Sequence, residues 1–264
     1  MSARRTTPVP VGVLAAIGVA FLGIPLLGLL LTTPWARLPQ LLTSPAAVEA
    51  LRLSIITSLS ATALAVLVGV PLAWVLARAH VPGRTFVRAL VTLPLVLPPV
   101  VGGVALLLAF GRRGIVGQYL YDWFGVQLPF SMAGVIMAEA FVAMPFLVIT
   151  VEGALRTADP RFEEAAATLG ARRWTILRRV TLPLIAPALL AGTILAWARA
   201  LGEFGATITF AGNLPGVTQT LPLAVYAALD TDRDAAIALS LVLLVASLAV
   251  LLLLRDRYLR GGHS

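Results

Sequence analysis

The chain has 264 residues, of which 59% are hydrophobic and only 12% are charged, which is the composition of a membrane protein rather than of a soluble domain. It contains no cysteine, no lysine and only two histidines, which excludes a disulfide framework, a cysteine nucleophile, a Walker A nucleotide site and a histidine-rich metal site within it. Arginine therefore carries all of the basic charge behind the net +8, and we attribute this charge to cytoplasmic loops rather than to nucleic-acid binding.

Six segments are apolar and long enough to cross a bilayer, which takes about 20 helical residues each. They lie at Val11–Leu31, Leu53–Ala77, Ala89–Phe110, Met132–Val151, Leu184–Leu201 and Ala235–Leu254. The first is too long for a cleavable signal peptide, and no small-residue cleavage site follows it. We therefore expect an all-α membrane protein with one membrane domain over residues 1–264 and a core at about residues 49–254.

The distribution of arginine predicts the orientation in the membrane. Fourteen arginines fall in loops on the side of the N-terminus and five on the other side, with Arg199 left unassigned. Because cytoplasmic loops carry the excess of positive charge, we expect both termini and the loop at residues 152–183 to face the cytoplasm. The chain would then be a multi-pass protein of the cell (inner) membrane, surrounded by lipid.

The third segment carries three prolines, Pro94, Pro98 and Pro99. Each lacks a backbone N–H, so the stretch from residue 93 to 99 cannot be a regular helix throughout. Broken helices at membrane depth are tolerated only where protein or a water-filled cavity surrounds them. Two interpretations stay open: an ordinary kink against neighbouring helices, or a wall of a translocation pathway to which Pro98 and Pro99 belong.

Small residues recur every four positions in the fifth segment and predict close helix packing, either within the subunit or across a dimer; they are Ala188, Gly192, Ala196 and Ala200. Arg199 and Glu203 at the end of this segment are also four residues apart and could form an ion pair. Glu139 in the fourth segment is a second candidate partner for Arg199. Charges at this depth either line a pathway or lock two helices together, and we favour the structural role for Glu139 while leaving Arg199 open.

The stretch from Arg199 to Leu223 is rich in glycine and threonine and contains an asparagine. We expect it at the extracytoplasmic face of the membrane. Freed backbone amides and hydroxyl groups are suitable donors to a compact oxyanion. The candidate pathway residues here are Arg199, Glu203, Thr207, Thr209 and Asn213, with Thr218 and Thr220 as further hydroxyl donors. The alternative is a re-entrant turn whose glycines only permit tight geometry.

The cytoplasmic loop at residues 152–183 contains Glu164-Ala165-Ala166, then Gly170, and after nine residues Val180-Thr181-Leu182-Pro183. Helical spacing puts an apolar set on one face, and Gly170 falls at the helix C-cap. A patterned helix in an arginine-rich loop indicates a docking site for a partner. The residues of this candidate site are Phe162, Glu163, Glu164, Ala165, Ala166, Leu169 and Gly170.

This pattern resembles the cytoplasmic signature of binding-protein-dependent ABC importer permeases, with Val180 where isoleucine is common. The stretch at residues 199–223, together with residues 93–103 and 111–114, resembles the molybdate branch of that family. A related stretch occurs in the sulfate/thiosulfate branch, and Glu139 is typical of neither. The resemblance covers the chain from about residue 53 to the C-terminus.

The resemblance implies a type I ABC importer permease with six transmembrane helices and a cytoplasmic coupling helix at the candidate docking site. Such a permease pairs with a second copy of itself and is not an enzyme. It binds no cofactor, and two ATP-binding subunits at the cytoplasmic face use ATP and Mg. An extracytoplasmic molybdate-binding protein would deliver molybdate or tungstate to a pathway along the dimer interface. The alternatives are a sulfate/thiosulfate importer permease and, more remotely, a stand-alone secondary transporter or an intramembrane enzyme.

Overall fold

The structure, a computed structural model, describes residues 8–79 and 82–260, and within these ranges it contains helices and turns but no strand. The helices are α1 (Val9–Thr32), α2 (Leu38–Leu42), α3 (Pro45–Arg78), α4 (Arg84–Val96), α5 (Pro99–Phe110), α6 (Gly117–Phe124), α7 (Met132–Thr157), α8 (Arg161–Thr168), α9 (Arg173–Ile176), a π segment (Leu177–Thr181), α10 (Leu182–Leu201), α11 (Gly205–Phe210), α12 (Leu221–Ala228) and α13 (Arg233–Arg260). The predicted all-α fold class is confirmed.

Within the described residues, five helical stretches are long and apolar enough to cross a membrane: α1, α3, α7, the continuous stretch from α9 to α10, and α13. They correspond to five of the six expected segments. The third segment, expected at Ala89–Phe110, is not one helix but two, α4 and α5. Leu97 is extended, with ψ 134°, because the residue before a proline is pushed out of the helical region, and Pro99 then occupies the first turn of α5. The predicted interruption at residues 93–99 is therefore confirmed.

The core lies where α3, α7 and α10 pack together. Its helices approach closely because alanine and glycine occupy the contact positions. A Cβ atom added to Gly192 would lie 3.2 Å from both Leu147 Cδ1 and Thr150 Cβ on α7. Of the predicted small-residue stripe, Gly192, Ala196 and Ala200 are buried and Ala188 is half-buried. The stripe thus packs within the subunit, against α7.

The first helix, α1, stands apart from this core. None of its residues is buried, whereas α7 buries thirteen. An added Cβ atom at Gly12, Gly18, Gly23 or Gly28 would meet nothing within 4 Å. Helix α1 is therefore a span that the rest of the described chain barely covers.

Candidate functional sites

The two candidate sites lie at opposite ends of α10. The segment that follows Leu201 contains α11 and leads to α12. We call residues 202–220, which we expect at the outer face of the membrane, the outer polar segment. The other end of α10 is reached from α7 through α8, α9 and the π segment. Helices α7 and α10 pack against each other in the core between the two sites.

Of the two candidate partners of Arg199, Glu203 is the one that forms an ion pair with it. Arg199 Nη2 lies 2.5 Å from Glu203 Oε2, although the angle between the groups is not that of a hydrogen bond. Glu203 is 1% exposed, while the Arg199 side chain is 26% exposed. The other carboxylate oxygen, Oε1, accepts a hydrogen bond from the backbone N–H of Ala206 at 2.7 Å. Glu203 therefore both opposes the charge of Arg199 and holds the first turn of α11.

Glu139 is not the partner of Arg199. It lies in α7, is 1% exposed, and accepts a hydrogen bond at Oε1 from Thr57 Oγ1 of α3 at 2.9 Å. Its other carboxyl oxygen, Oε2, is buried without a hydrogen-bond partner among the described residues. The helix-locking role that we favoured for Glu139 thus involves a hydroxyl group of α3 instead of an arginine, and no ion pair of Glu139 is found in the described part of the chain.

Sequence reasoning missed the hydroxyl groups of α3 as an organising feature. Ser54 Oγ accepts from the Leu221 N–H at 2.6 Å, and Ser58 Oγ accepts from Trp197 Nε1 at 3.1 Å. Together with Thr57, these side chains connect α3 to α7, α10 and α12. The available signal was their spacing, since positions 54, 57 and 58 share one face of a helix that is apolar over most of its length.

The predicted oxyanion donors differ in their availability. Thr209 donates to the Gly205 carbonyl of its own helix at 2.8 Å. Asn213 Oδ1 accepts from Gln219 Nε2 at 2.9 Å, and Thr218 Oγ1 accepts from the Leu214 N–H at 2.9 Å, so both hold the turn. Thr207 is fully buried, and its hydroxyl group has no partner among the described residues; the same is true of the Thr220 hydroxyl group. Among the predicted donors of the outer polar segment, these two hydroxyl groups are therefore the ones that lack a hydrogen-bond partner within the described residues.

The break between α4 and α5 lies directly against the outer polar segment. A Cβ atom added to Gly205 would come within 2.8 Å of Pro99 Cβ, and one added to Gly103 would come within 2.6 Å of Thr209 Cβ. Helices α5 and α11 thus contact each other through glycine on both sides. The break therefore packs against α11 of the same chain, which both interpretations of the two prolines allow.

Helix α8 has the predicted boundaries of a docking helix. Gly170 follows it with a φ of 78°, in the left-handed region that favours glycine. The Ala171 N–H donates to the Ala166 carbonyl at 3.0 Å, and the Gly170 N–H donates to the Ala167 carbonyl at 2.9 Å, which is the Schellman arrangement. Glu163 and Glu164 lie in the first turn, where acidic side chains favour the helix dipole.

The residues predicted for docking do not all face the same way. Phe162 is 58% exposed and Leu169 is 88% exposed, and Glu164 and Ala165 are exposed as well, whereas Ala166 is half-buried. Glu163 is turned toward the chain, where its carboxylate contacts Arg78 and Thr181. Sequence reasoning missed Trp174 of α9, the helix that follows α8 in the chain. Its side chain is 66% exposed, and an aromatic residue in an arginine-rich loop was the available signal.

The described chain is thus a bundle of apolar helices with an interrupted helix near one end of α10 and a short exposed helix near the other. The family defined by the inner membrane component of binding-protein-dependent transport systems matches residues 69–260, and the chain belongs to that family.

Two relatives and one solved structure are similar to this chain over most of its length. The molybdenum transport system permease protein ModB of Mycobacterium bovis is 51% identical over 238 residues, which cover 90% of each chain. The sulfate transport system permease protein CysT of Escherichia coli is 37% identical, covering 87% of this chain and 83% of the relative. A chain in the crystal structure of a bacterial alginate ABC transporter, in complex with an alginate pentasaccharide-bound periplasmic protein, has a TM-score of 0.73 at 21% identity, covering 92% of this chain and 91% of that one. The expected permease fold is thereby confirmed.

Proposed function

We propose that this chain is the membrane permease subunit of an ATP-driven importer for molybdate or tungstate. The observation that carries the proposal is the 51% identity to a molybdenum permease over 90% of both chains, against 37% to a sulfate permease. The chain is not itself the ATPase, since it has no lysine for a Walker A motif. A separate ATPase subunit supplies the hydrolysis of ATP with Mg, and an extracytoplasmic binding protein delivers the oxyanion.

Helix α8 is the proposed contact with the ATPase. Its exposed apolar residues Phe162, Ala165 and Leu169 form a surface that a groove can enclose, with Trp174 beside it. Two permease copies would each present one such helix to one of two ATPase subunits. Closure of the ATPase pair on ATP would then move both helices and switch the dimer between inward-facing and outward-facing states.

The proposed pathway runs between two copies of the chain, beside the break at Pro98 and Pro99. Arg199 is partly exposed and faces a carboxylate that offsets its charge, so it can attract a dianion without holding it permanently. The hydroxyl group of Thr207 has no hydrogen-bond partner among the described residues but is fully buried, so it would donate to a tetrahedral oxyanion only after the gate opens. Thr209 and Asn213 act in the gate by holding its backbone, because their polar atoms are already hydrogen-bonded.

The second candidate is a sulfate/thiosulfate permease, supported by the 37% identity to the Escherichia coli relative over 87% of the chain. Molybdate and sulfate are both tetrahedral dianions that differ chiefly in size. The binding protein that docks on this chain therefore decides most of the selectivity. Membership of a binding-protein-dependent family argues against the more remote alternatives, a stand-alone secondary transporter and an intramembrane enzyme.

The test is reconstitution of the chain with its ATPase and its binding protein in liposomes, with the binding protein loaded with molybdate, tungstate or sulfate. We expect ATP hydrolysis and import to be stimulated by molybdate or tungstate and not by sulfate. Stimulation by sulfate alone would move the chain to the sulfate branch, and failure to assemble with any ATPase would overturn the proposal. Where a glycine of the pathway or of the loop after α8 is replaced, the matched control is Gly153→Ala, because an added Cβ atom at residue 153 meets nothing within 4 Å.

A further inference from the structure

Among the described residues, the side chain of Glu163 connects α8 by hydrogen bonds to the ends of two other helical segments. Its carboxylate oxygen Oε1 accepts a hydrogen bond from Arg78 Nη2 at 3.3 Å and another from Thr181 Oγ1 at 2.9 Å. Arg78 is the last residue of α3, and Thr181 is the last residue of the π segment, directly before α10. A single oxygen atom thus connects the docking helix to the cytoplasmic ends of two core helices.

The burial of these groups separates them from the docking surface. Thr181 is fully buried, and the side chains of Glu163 and Arg78 are 21% and 25% exposed. Phe162, the neighbour of Glu163 in sequence, is 58% exposed. Helix α8 therefore has an outer face available to a partner and an inner contact held by a partly buried ion pair.

The short length of α8 gives this contact a stabilising role. Isolated helices shorter than about 12 to 15 residues are marginal in water, and α8 has 8 residues. The backbone joins α8 to α7 through residues 158–160 and to α10 through α9 and the π segment, so a displacement of α8 already acts on these neighbours along the chain. The contact of Glu163 adds a side-chain connection to α3, which is distant in sequence, and a second one to the start of α10. Through Arg78 and Thr181, the same displacement acts on α3 and on α10, and α10 carries Arg199 at its other end.

We propose that Glu163 is the positioning residue that transmits movement of α8 to α3 and α10. This inference rests on the proposed function for the docking of an ATPase on α8. It assigns Glu163 a role distinct from that of Glu164, which is exposed on the docking side. The π segment Leu177–Thr181 takes part because its last residue is the point of attachment on α10.

The functional test compares Glu163→Ala with wild type in the reconstituted complex, with molybdate imported per ATP hydrolysed as the readout. We expect this ratio to fall by about tenfold or more, as when a coupling free energy between two sites is removed. Glu163→Gln, which keeps an acceptor oxygen but loses the charge, should give an intermediate ratio. Because Arg78 and Glu163 act as one contact, the Arg78→Ala/Glu163→Ala double variant should be no worse than Glu163→Ala alone.

A matched control removes an ion pair of the same kind that does not involve α8. Arg156 lies 3.0 Å from Glu152 on the same helix, and Glu152 keeps its contact with Arg88 when Arg156 is replaced. Arg156→Ala should therefore import with the wild-type ratio. An equal loss in Arg156→Ala and Glu163→Ala would show that any lost charge at this end impairs transport, and would overturn the assignment.

A second readout is independent of the transported ion. The chain has no cysteine, so a cysteine introduced at the exposed Ala167 of α8 would be the only site for a nitroxide label. In the full chain in liposomes, Glu163→Ala and Thr181→Val should increase the label's mobility, and Arg156→Ala should not. Unchanged mobility in Glu163→Ala would overturn the attachment even if the wild-type complex imports no molybdate. Increased mobility with an unchanged import ratio would overturn the transmission.

Discussion

Replacement of Glu203 by glutamine should leave the cation of Arg199 unopposed at the end of α10 that leads into α11. The two charged atoms are 2.5 Å apart. At that separation, the Coulomb attraction is about 7 kcal/mol at an effective dielectric constant of 20 and about 1.7 kcal/mol in bulk water. Breaking a fully buried pair costs about 3–5 kcal/mol, and a surface pair contributes at most about 1 kcal/mol. Because Arg199 is about a quarter exposed and water screens it, we expect Glu203→Gln to lower the free energy of unfolding by about 2 kcal/mol.

A comparison of two variants separates the effect of the Glu203 charge from that of its hydrogen bond with the Ala206 N–H. Glutamine keeps an oxygen that can accept from the Ala206 N–H, whereas alanine does not. Glu203→Ala should therefore cost about 1 kcal/mol more than Glu203→Gln, the typical net contribution of one hydrogen bond. Both free energies can be measured by denaturant unfolding in mixed micelles.

The double variant Arg199→Gln/Glu203→Gln tests the pairing itself. If the two charges interact as the structure places them, the double variant should be at least about 1 kcal/mol more stable than the sum of the two single losses indicates. Additive losses within about 0.5 kcal/mol would refute the reasoning. In transport, Glu203→Gln should lower both the apparent KM and the maximal import rate, because an unopposed cation retains the dianion. A raised KM would contradict that role for Arg199.

Three glycine substitutions give further tests, with Gly153→Ala as their shared control. Gly170→Val places a β-branched residue at a φ of 78°, which costs more than about 1 kcal/mol. Less ATPase should then co-purify with the variant, while the amount of the variant in the membrane stays unchanged. Full co-purification would contradict this. Gly103→Val should force α5 away from α11, since its Cβ would lie 2.6 Å from Thr209 Cβ, and import should be lost; normal import would show that this contact is not part of the gate. Gly192→Leu should destabilise the contact of α10 with α7 by about 1–3 kcal/mol, which a thermal unfolding midpoint unchanged from the control would refute.

Features that depend on local chemistry could be predicted from the sequence. Adjacent prolines break a helix wherever they occur, so the interruption before Pro99 could be predicted without knowing its neighbours. The end of α8 at Gly170 and the pairing of Arg199 with Glu203 are equally local, because each involves residues within one or two helical turns. Spacing in the sequence determines such contacts directly.

Contacts between distant segments could not be predicted in the same way. Helical spacing places Glu163 on α8, but its orientation depends on where α3 and α10 end. The sequence therefore led us to group it with the docking residues. The hydrogen bond of Glu139 with Thr57 joins positions 82 residues apart, and periodicity gives no information about that pairing. The small-residue stripe of α10 indicated a close neighbour, but only the packing identifies it as α7.

The isolation of α1 has a consequence for how its sequence is constrained. Within one subunit there is open space beside four glycines of α1, so nothing in the described chain requires these residues to be small. They are Gly12, Gly18, Gly23 and Gly28. If lipid alone surrounds α1, any apolar side chain serves equally well at these four positions. If a second subunit packs there, the glycines become contact points and larger side chains weaken the association. Leucine substitutions at these positions, scored by the amount of dimer, would therefore show whether this helix faces lipid or protein.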